Sequence, residues 1–164
     1  MERIGRKAAA FLAAAGIAVL LAQPVWATAP AVGGGTFAAT AFVGAPSIRL
    51  ADGNTFVTET ITGVIAGTIV GTIRDVGTII LHPDGTLNVS GVETCVCTVA
   101  GRSGTFVDRF EASGVGLSAT GPFTVISSTG ALSNLHLTGM FTLVLNPATG
   151  LAAGPYSIDY HFDP

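Results

Sequence analysis

The sequence predicts an all-β protein that folds as a single closed antiparallel barrel of about eight strands, preceded by a signal peptide. Beyond the N-terminal segment, threonine, valine, isoleucine and phenylalanine are abundant, glycine recurs at short intervals, and no stretch has convincing helical periodicity. This composition is typical of many short strands joined by tight turns. Closing such a sheet buries one apolar face and removes the exposed edges, so we expect a barrel. A sandwich of two sheets is the alternative.

Residues 1–27 have the parts of a secretory signal peptide. Arg3, Arg6 and Lys7 precede an unbroken apolar run over residues 8–21, and residues 25–27 supply small side chains at the expected cleavage positions. The run is shorter than the about 20 apolar residues of a membrane-spanning helix, and an uncleaved anchor is the alternative. We therefore expect cleavage after Ala27 and a secreted protein, periplasmic or extracellular.

The remaining chain is read as a flexible lead-in over residues 28–35, which contain three consecutive glycines, and a barrel domain over residues 36–164. Period-two alternation marks the strands; Tyr156, Ile158, Tyr160 and Phe162, for example, share one face. Turn signatures lie at HPDGT (82–86) and NPATG (146–150). The predicted strands cover residues 36–43, 55–62, 64–82, 86–93, 94–99, 105–112, 115–126, 135–145 and 156–162.

The mature chain is acidic and has no lysine. Without residues 1–27 it keeps four arginines and nine acidic residues in 137 residues, a net charge of −5 with histidine neutral. This length fits one domain. Nucleic acids and anionic membrane surfaces attract basic patches, so we expect neither as a partner after signal cleavage. The sequence leaves the oligomeric state open.

Several motifs, taken in order, resemble a known family. They are FVTETITGVIAGTIVG, HPDGTLNVSGVE, AGRSGTFV, SSTGALSNLHLTGMF and YSIDYHFD, which together span about residues 36–162. The chain resembles a family of small secreted bacterial proteins of unknown function, whose fold is assigned to the allene oxide cyclase-like, or calycin-like, barrels. The resemblance implies an eight-stranded barrel and no activity, because fold alone does not give function.

Cys95 and Cys97 are the only cysteines, and they lie two residues apart in a predicted strand. In a regular strand their α-carbons are about 6.5 Å apart, and a relaxed disulfide requires β-carbons only about 4 Å apart. A bulge or turn near Val96 would permit a strained disulfide, whereas a regular strand would hold two free buried thiols. A soft-metal site lacks a matching histidine or cysteine motif nearby. We therefore predict no metal and no cofactor.

Three acidic residues lie among apolar neighbours in predicted strands: Glu59, Glu93 and Asp108. If these side chains point into the barrel, burial raises their pKa values toward neutrality. The carboxyl groups are then suited to acid–base chemistry or to polar contacts with a ligand. The alternative is a one-residue bulge that turns each carboxylate to solvent. Arg102 and Arg109 are candidate partners for these acids, and a role in bracketing the neighbouring turn is the favoured alternative for Arg102.

The function predicted from the sequence is non-catalytic binding of a small, partly apolar molecule. A barrel of eight strands can surround one small ligand with aromatic side chains, in a cavity on the order of a few hundred Å³. The alternatives are an isomerase- or cyclase-type enzyme that uses one of the three acids, and a structural or interaction protein with a filled barrel. The aromatic candidates are Phe37, Phe56, Phe106, Phe110, Phe123, Phe141 and Tyr156.

Overall fold

The computed structural model describes residues 29–42, 47–51 and 53–164, and every regular element in these ranges is a β-strand. The signal-peptide prediction and Val43 lie outside the described residues. No helix in these ranges has the length and apolarity needed to cross a membrane. The strands are β1 (Ala31–Phe42), β2 (Ser47–Ala51), β3 (Asn54–Gly67), β4 (Ile69–Leu81), β5 (Thr86–Val99), β6 (Arg102–Val115), β7 (Ser118–Gly130), β8 (Leu135–Leu145) and β9 (Ala152–Phe162).

The strands form one antiparallel sheet that closes on itself. From β3 to β9 each strand pairs with the next along the chain, and β1 pairs with both β9 and β3. Eight strands therefore complete the ring. β2 pairs with the first residues of β3, next to the segment of β3 that β1 covers, so β1 and β2 occupy the same edge in succession. The predicted closed barrel is confirmed, and the sandwich alternative is not observed.

One end of the barrel is packed solid, and we term it the closed end. The β3–β4, β5–β6 and β7–β8 connections lie there, and Leu132 from the last of these connections is fully buried. Around it pack Ile69, Cys95, Val99 and Phe106, each at most 1% exposed. At the opposite end, which we term the mouth, lie the β4–β5, β6–β7 and β8–β9 connections. The first and last described strands meet near the closed end, where Ala31 pairs with Tyr160.

The lead-in prediction for residues 28–35 is wrong from Ala31 onward, because these residues are part of β1. Gly35 pairs with Tyr156 on one side and with Gly67 on the other. A β-carbon at Gly35 would lie 1.9 Å from the carbonyl oxygen of Ala66, so only glycine permits this approach. The Thr68 amide donates to the Gly34 carbonyl (3.0 Å), and the Gly34 amide donates to Thr68 Oγ1 (3.1 Å). The glycines serve close packing where the barrel closes.

Two strand boundaries also differ from the prediction. The segment over residues 64–82 is split between β3 and β4 by a tight turn at Gly67, whose φ is +118°. The predicted strands over residues 86–93 and 94–99 form the single strand β5. Its pairing with β4 and with β6 is unbroken along its whole length. Leu87, Val89, Cys95, Cys97 and Val99 are all buried on its inner face, as period-two alternation predicts.

Candidate functional site

A cavity of about 190 Å³ lies inside the barrel between the middle of the wall and the mouth. Apolar side chains form most of its lining, including Val57, Ile79, Leu87 and Leu143. Leu81 lies at the mouth end of β4 and is 42% exposed, which marks the open side. The cavity is smaller than a few hundred Å³, but a cavity of about 150 Å³ with similar lining binds benzene. Side chains therefore fill the lumen at the closed end, and a cavity large enough for a small ligand remains toward the mouth.

Three carboxyl groups form a row across the floor of this cavity, and we term this row the acid rung: Asp75, Glu93 and Asp108. They lie on the adjacent strands β4, β5 and β6, where Asp75 pairs directly with Glu93 and Glu93 with Asp108. Glu59 on β3 lines the same cavity beside them. The next inward residues toward the closed end are Ile73, Cys95 and Phe106, all buried. The acids therefore separate the packed core from the open half of the lumen.

The acid rung is poorly compensated by neighbouring groups. Asp108 is only 2% exposed, and it forms no hydrogen bond or ion pair with a described residue. The Glu93 carboxyl shares a hydrogen bond with Asp75. The other Asp75 oxygen, Oδ1, is buried and lacks a hydrogen-bond partner among the described residues. Buried polar atoms normally have partners, so these unpaired oxygens distinguish the floor from an ordinary core.

Burial raises the pKa of every one of these carboxyl groups. The pKa of Glu59 rises to about 7, through burial and then the nearby charge of Asp75. Burial followed by the charge of Asp75 raises the pKa of Asp108 to about 8. The pKa of Asp75 is raised by burial, and the pKa of Glu93 is raised well above its usual value by burial and by its acidic neighbours. Because the four acids share a buried site, Asp108 retains its proton at neutral pH and Glu59 titrates near it.

Arg102 and Arg109, the candidate partners of these acids, do not contact them. Arg109 lies on the outer face of β6, as Arg74 does on β4, and Arg102 is exposed at the closed end, where it pairs with buried Val99. The Arg102 guanidinium carbon lies 4.0 Å from the centre of the Phe162 ring, a cation–π contact outside the cavity. The bulge alternative also fails for the acids: the shift between β6 and β7 near Asp108 leaves its side chain buried.

Cys95 and Cys97 are free thiols in the structure, and both are buried. β5 runs without a bulge past Val96, so the strand geometry that a disulfide would require is not present. A hydrogen bond with Cys97 and burial together raise the pKa of the Cys95 thiol. The two cysteines therefore act as packed core residues at the closed end, beneath the acid rung.

Five of the seven aromatic candidates line the cavity: Phe37, Phe110, Phe123, Phe141 and Tyr156. Phe141 makes edge contacts with the first three, at ring-centre distances of 6.1, 6.0 and 6.3 Å.

The other two candidates lie elsewhere. Phe106 belongs to the packed core of the closed end. Val57 lines the cavity, and successive residues of a strand point to opposite faces, so the adjacent Phe56 lies on the outer face. The prediction that Phe56 lines the cavity was wrong.

Asp75 was missed by the sequence analysis, although a signal for it exists. It has the same alternation as Ile69, Ile73 and Ile79, which all face inward on β4. Gly71 and Gly77 interrupt that apolar face in the sequence, and they obscure the pattern.

A second cluster lies outside the barrel, where His136 of β8 pairs with His161 of β9. Their rings stack with centres 4.7 Å apart and planes 6° from parallel. Asp163 lies beside both rings, with Oδ2 2.8 Å from His136 Nε2 and Oδ1 3.5 Å from His161 Nε2. The three ligand atoms lie within 4.8 Å of one another, so this group is the metal-binding candidate that the structure offers.

Comparison with known proteins identifies a family. Residues 33–160 match the family model described as protein of unknown function, DUF3224. The chain is similar to the crystal structure of a protein of unknown function from the DUF3224 family of Shewanella oneidensis MR-1, with a TM-score of 0.60 and 16% sequence identity. That match covers 83% of this chain and 100% of the other, and it concerns the fold alone. No curated protein matches the chain.

Proposed function

This chain belongs to the DUF3224 family of proteins of unknown function, and from the geometry of its own barrel we propose that it binds a small, partly apolar molecule in the cavity without catalysing a reaction. The observation that carries this proposal is the cavity of about 190 Å³ with apolar walls and a polar floor. Ligand sites typically combine an apolar lining with a few convergent polar groups. A molecule of roughly benzene size with one polar group fits this description.

The rigidity of the surrounding wall supports a preformed site. Every strand that lines the cavity pairs with a neighbouring strand on each side in the closed ring. The Tyr156 hydroxyl accepts a hydrogen bond from the Ile69 amide at 2.9 Å, which holds this lining residue against the closed end. A ligand therefore enters a site that needs little ordering, and preorganisation of this kind favours affinity.

Two adjacent alanines at the mouth provide a matched test. Ala152 lines the cavity, whereas Ala153 is its exposed neighbour on β9. We expect the wild type to bind at least one of toluene, 2-phenylethanol and 2-phenylethylamine at one molecule per barrel by calorimetry. Ala152→Trp should abolish that binding because the indole fills the entrance, and Ala153→Trp should retain it. Absence of binding to all three probes, or equal behaviour of the two variants, would refute the proposal.

An acid–base enzyme is the second candidate, and the carboxyl group of Glu59 favours it. Its pKa of about 7 at a cavity wall suits proton transfer. The two functions separate in deuterated water with phenylacetone, a ketone of similar size. A binding protein should leave its exchangeable carbon-bound protons at the buffer rate by NMR. Faster exchange that Glu59→Gln abolishes would replace binding by isomerase-type chemistry.

The proposal also includes the surroundings in which this barrel works. The predicted signal peptide supports secretion, with a mature N-terminus at Thr28 that N-terminal sequencing of the exported protein would detect. The acidic mature chain supports a small molecule as partner in preference to nucleic acid or an anionic membrane surface. A relationship to the allene oxide cyclase-like barrels stays a prediction.

A further inference from the structure

Resting on the binding function proposed above, we propose that the ligand carries an amine, and that its ammonium group lies on the cavity floor against Asp75, Glu93 and Asp108. The proposal names the chemical class of the polar end and the part of the cavity that receives it. It rests on the placement of the acid rung, on unpaired acceptor atoms at that rung, and on the distribution of charge around it.

The spacing of the acid rung suits a single ammonium group. Neighbouring strands lie about 4.8 Å apart, so three directly paired side chains on β4, β5 and β6 converge on one small volume. An ammonium group has three donors and no acceptor, and its hydrogen bonds to carboxylates are about 2.8 Å long. One nitrogen at the floor can therefore reach more than one of these carboxyl groups.

The floor contains carboxyl oxygens without a hydrogen-bond partner. Asp108 is 98% buried, lines the cavity, and has neither a hydrogen bond nor an ion pair with a described residue. Asp75 Oδ1 is buried without a partner in the described part of the chain. Arg74 and Arg109 lie on the exposed outer face, and Arg102 is exposed at the closed end, over the Phe162 ring. A ligand with several N–H donors supplies what the protein leaves out.

A neutral hydroxyl group satisfies this floor less well. An alcohol brings one donor. An ammonium group brings three donors, and it places a positive charge next to the four carboxyl groups that line the cavity. In a buried site, an opposite charge within a few ångströms strongly favours the ionised carboxylate. A charged amine should therefore bind in this cavity more tightly than a neutral alcohol of the same size.

Binding of an ammonium ion should release a proton. Asp108 holds its proton at neutral pH, so when this carboxyl group pairs with the ligand it ionises, and its proton leaves for the solvent. The titratable groups that face Asp108 from the surrounding strands are Glu59, Asp75 and Glu93, with Cys95, Cys97 and Tyr156 toward the closed end. The pKa values of Cys95 and Tyr156 are raised, so the acids are the source of the proton.

The walls restrict the remainder of the ligand. Above the floor, the lining is apolar up to Leu81 and Leu145 at the mouth. A second charged group would lie against these side chains, at the cost of its hydration. The amine therefore has one charged end and an aryl or short alkyl body.

A matched pair of probes tests the inference: 2-phenylethylamine and 2-phenylethanol, which differ only in the polar group. We expect the amine to bind at least tenfold more tightly than the alcohol at pH 8. Its affinity should rise with pH between pH 6 and 7.5, by up to about tenfold per unit when one proton is released. Calorimetry in buffers of different ionisation enthalpy should count about one released proton per amine, and none for the alcohol.

Variants at the floor localise the effect. Asp108→Asn should weaken amine binding at least tenfold and leave alcohol binding within about twofold. Asp159→Asn, an exposed acid on β9, is the control and should change neither. Glu93→Gln, measured with the same two probes, provides a second floor variant, and circular dichroism checks that each variant is folded.

The outcomes separate this inference from the function on which it rests. Alcohol binding as tight as amine binding at pH 8, or unaltered amine binding by both floor variants, overturns the amine assignment and leaves the binding function intact. If neither probe binds and toluene also fails, the proposed function is refuted together with this inference.

Discussion

Replacement of Asp108 by asparagine should change how the stability of the barrel depends on pH. The unfolded chain loses the Asp108 proton near pH 3.8, whereas burial keeps that proton bound in the folded protein up to about pH 8. Between these values the folded state binds more protons than the unfolded state, so the free energy of unfolding falls as the pH rises. This contribution to stability is complete below pH 3.8 and lost above pH 8.

The magnitude follows from the size of the pKa change. One pKa unit corresponds to about 1.4 kcal/mol, so the three units between pH 3.8 and pH 7 amount to an upper value of about 4 kcal/mol. Domains are stable by only about 5–15 kcal/mol, so the effect is large. Asparagine has the same shape and does not titrate. Asp108→Asn should therefore gain stability relative to the wild type as the pH rises from 4 to 8.

Thermal and urea unfolding of both proteins at pH 4, 6 and 8 measures the effect. We expect the melting temperature of the variant to gain on the order of 10 °C over the wild type between pH 4 and pH 8. Asp84→Asn is the control: hydrogen bonds from Thr86 lower the pKa of this exposed carboxyl below 3.8, so the difference between this variant and the wild type should stay nearly constant from pH 4 to pH 8. Parallel curves for the wild type and Asp108→Asn across this range would refute the reasoning about the buried floor.

Two further substitutions and one mass measurement test separate parts of the structure. Tyr156→Phe should cost about 1–3 kcal/mol in urea unfolding because the Ile69 amide loses its hydrogen bond, and Tyr160→Phe should cost less; equal costs would contradict the role of the Tyr156 hydroxyl. Gly35→Ala should prevent a cooperative unfolding transition because its β-carbon meets the Ala66 carbonyl; a wild-type melting curve would contradict this packing. Under non-reducing conditions the mature protein should have the mass of two free thiols, alkylated by iodoacetamide only after unfolding; a mass lower by two hydrogens would contradict the free cysteines.

The faces of the strands were largely predictable, because one face of each strand is buried and the side-chain period is two. Every inward residue of β5 from Leu87 to Val99 followed from alternation. Alternation also made Glu93 and Asp108 candidates for the inner face, although it left open a bulge that would turn them to solvent. The prediction for Phe56 was wrong because the residue type alone does not show on which face of a strand an aromatic side chain lies. The alternation of its neighbours is needed for that.

To predict that the acids lie side by side, one needs the register in which neighbouring strands pair. Alternation along a single strand does not give this register. The turn over residues 82–85 pairs Leu81 with Leu87 and thereby Asp75 with Glu93. The turn at Ala100 and Gly101 pairs Val99 with Arg102 and thereby Glu93 with Asp108. The division of β5 into two predicted strands concealed this relation. The glycines of β1 were misjudged because the chain that they approach lies about 30 residues away.

The meeting of the first and last described strands near the closed end has a practical consequence for experiments on this protein. Ala31 and Tyr160 are paired neighbours, while the mouth lies at the far end of the barrel. An affinity tag or a sensor surface attached after Pro164 is therefore anchored opposite the entrance, which remains open to solution. For the same reason, a short peptide joining residues 31 and 162 should allow new termini to be cut at the turn over residues 82–85 with the ring intact.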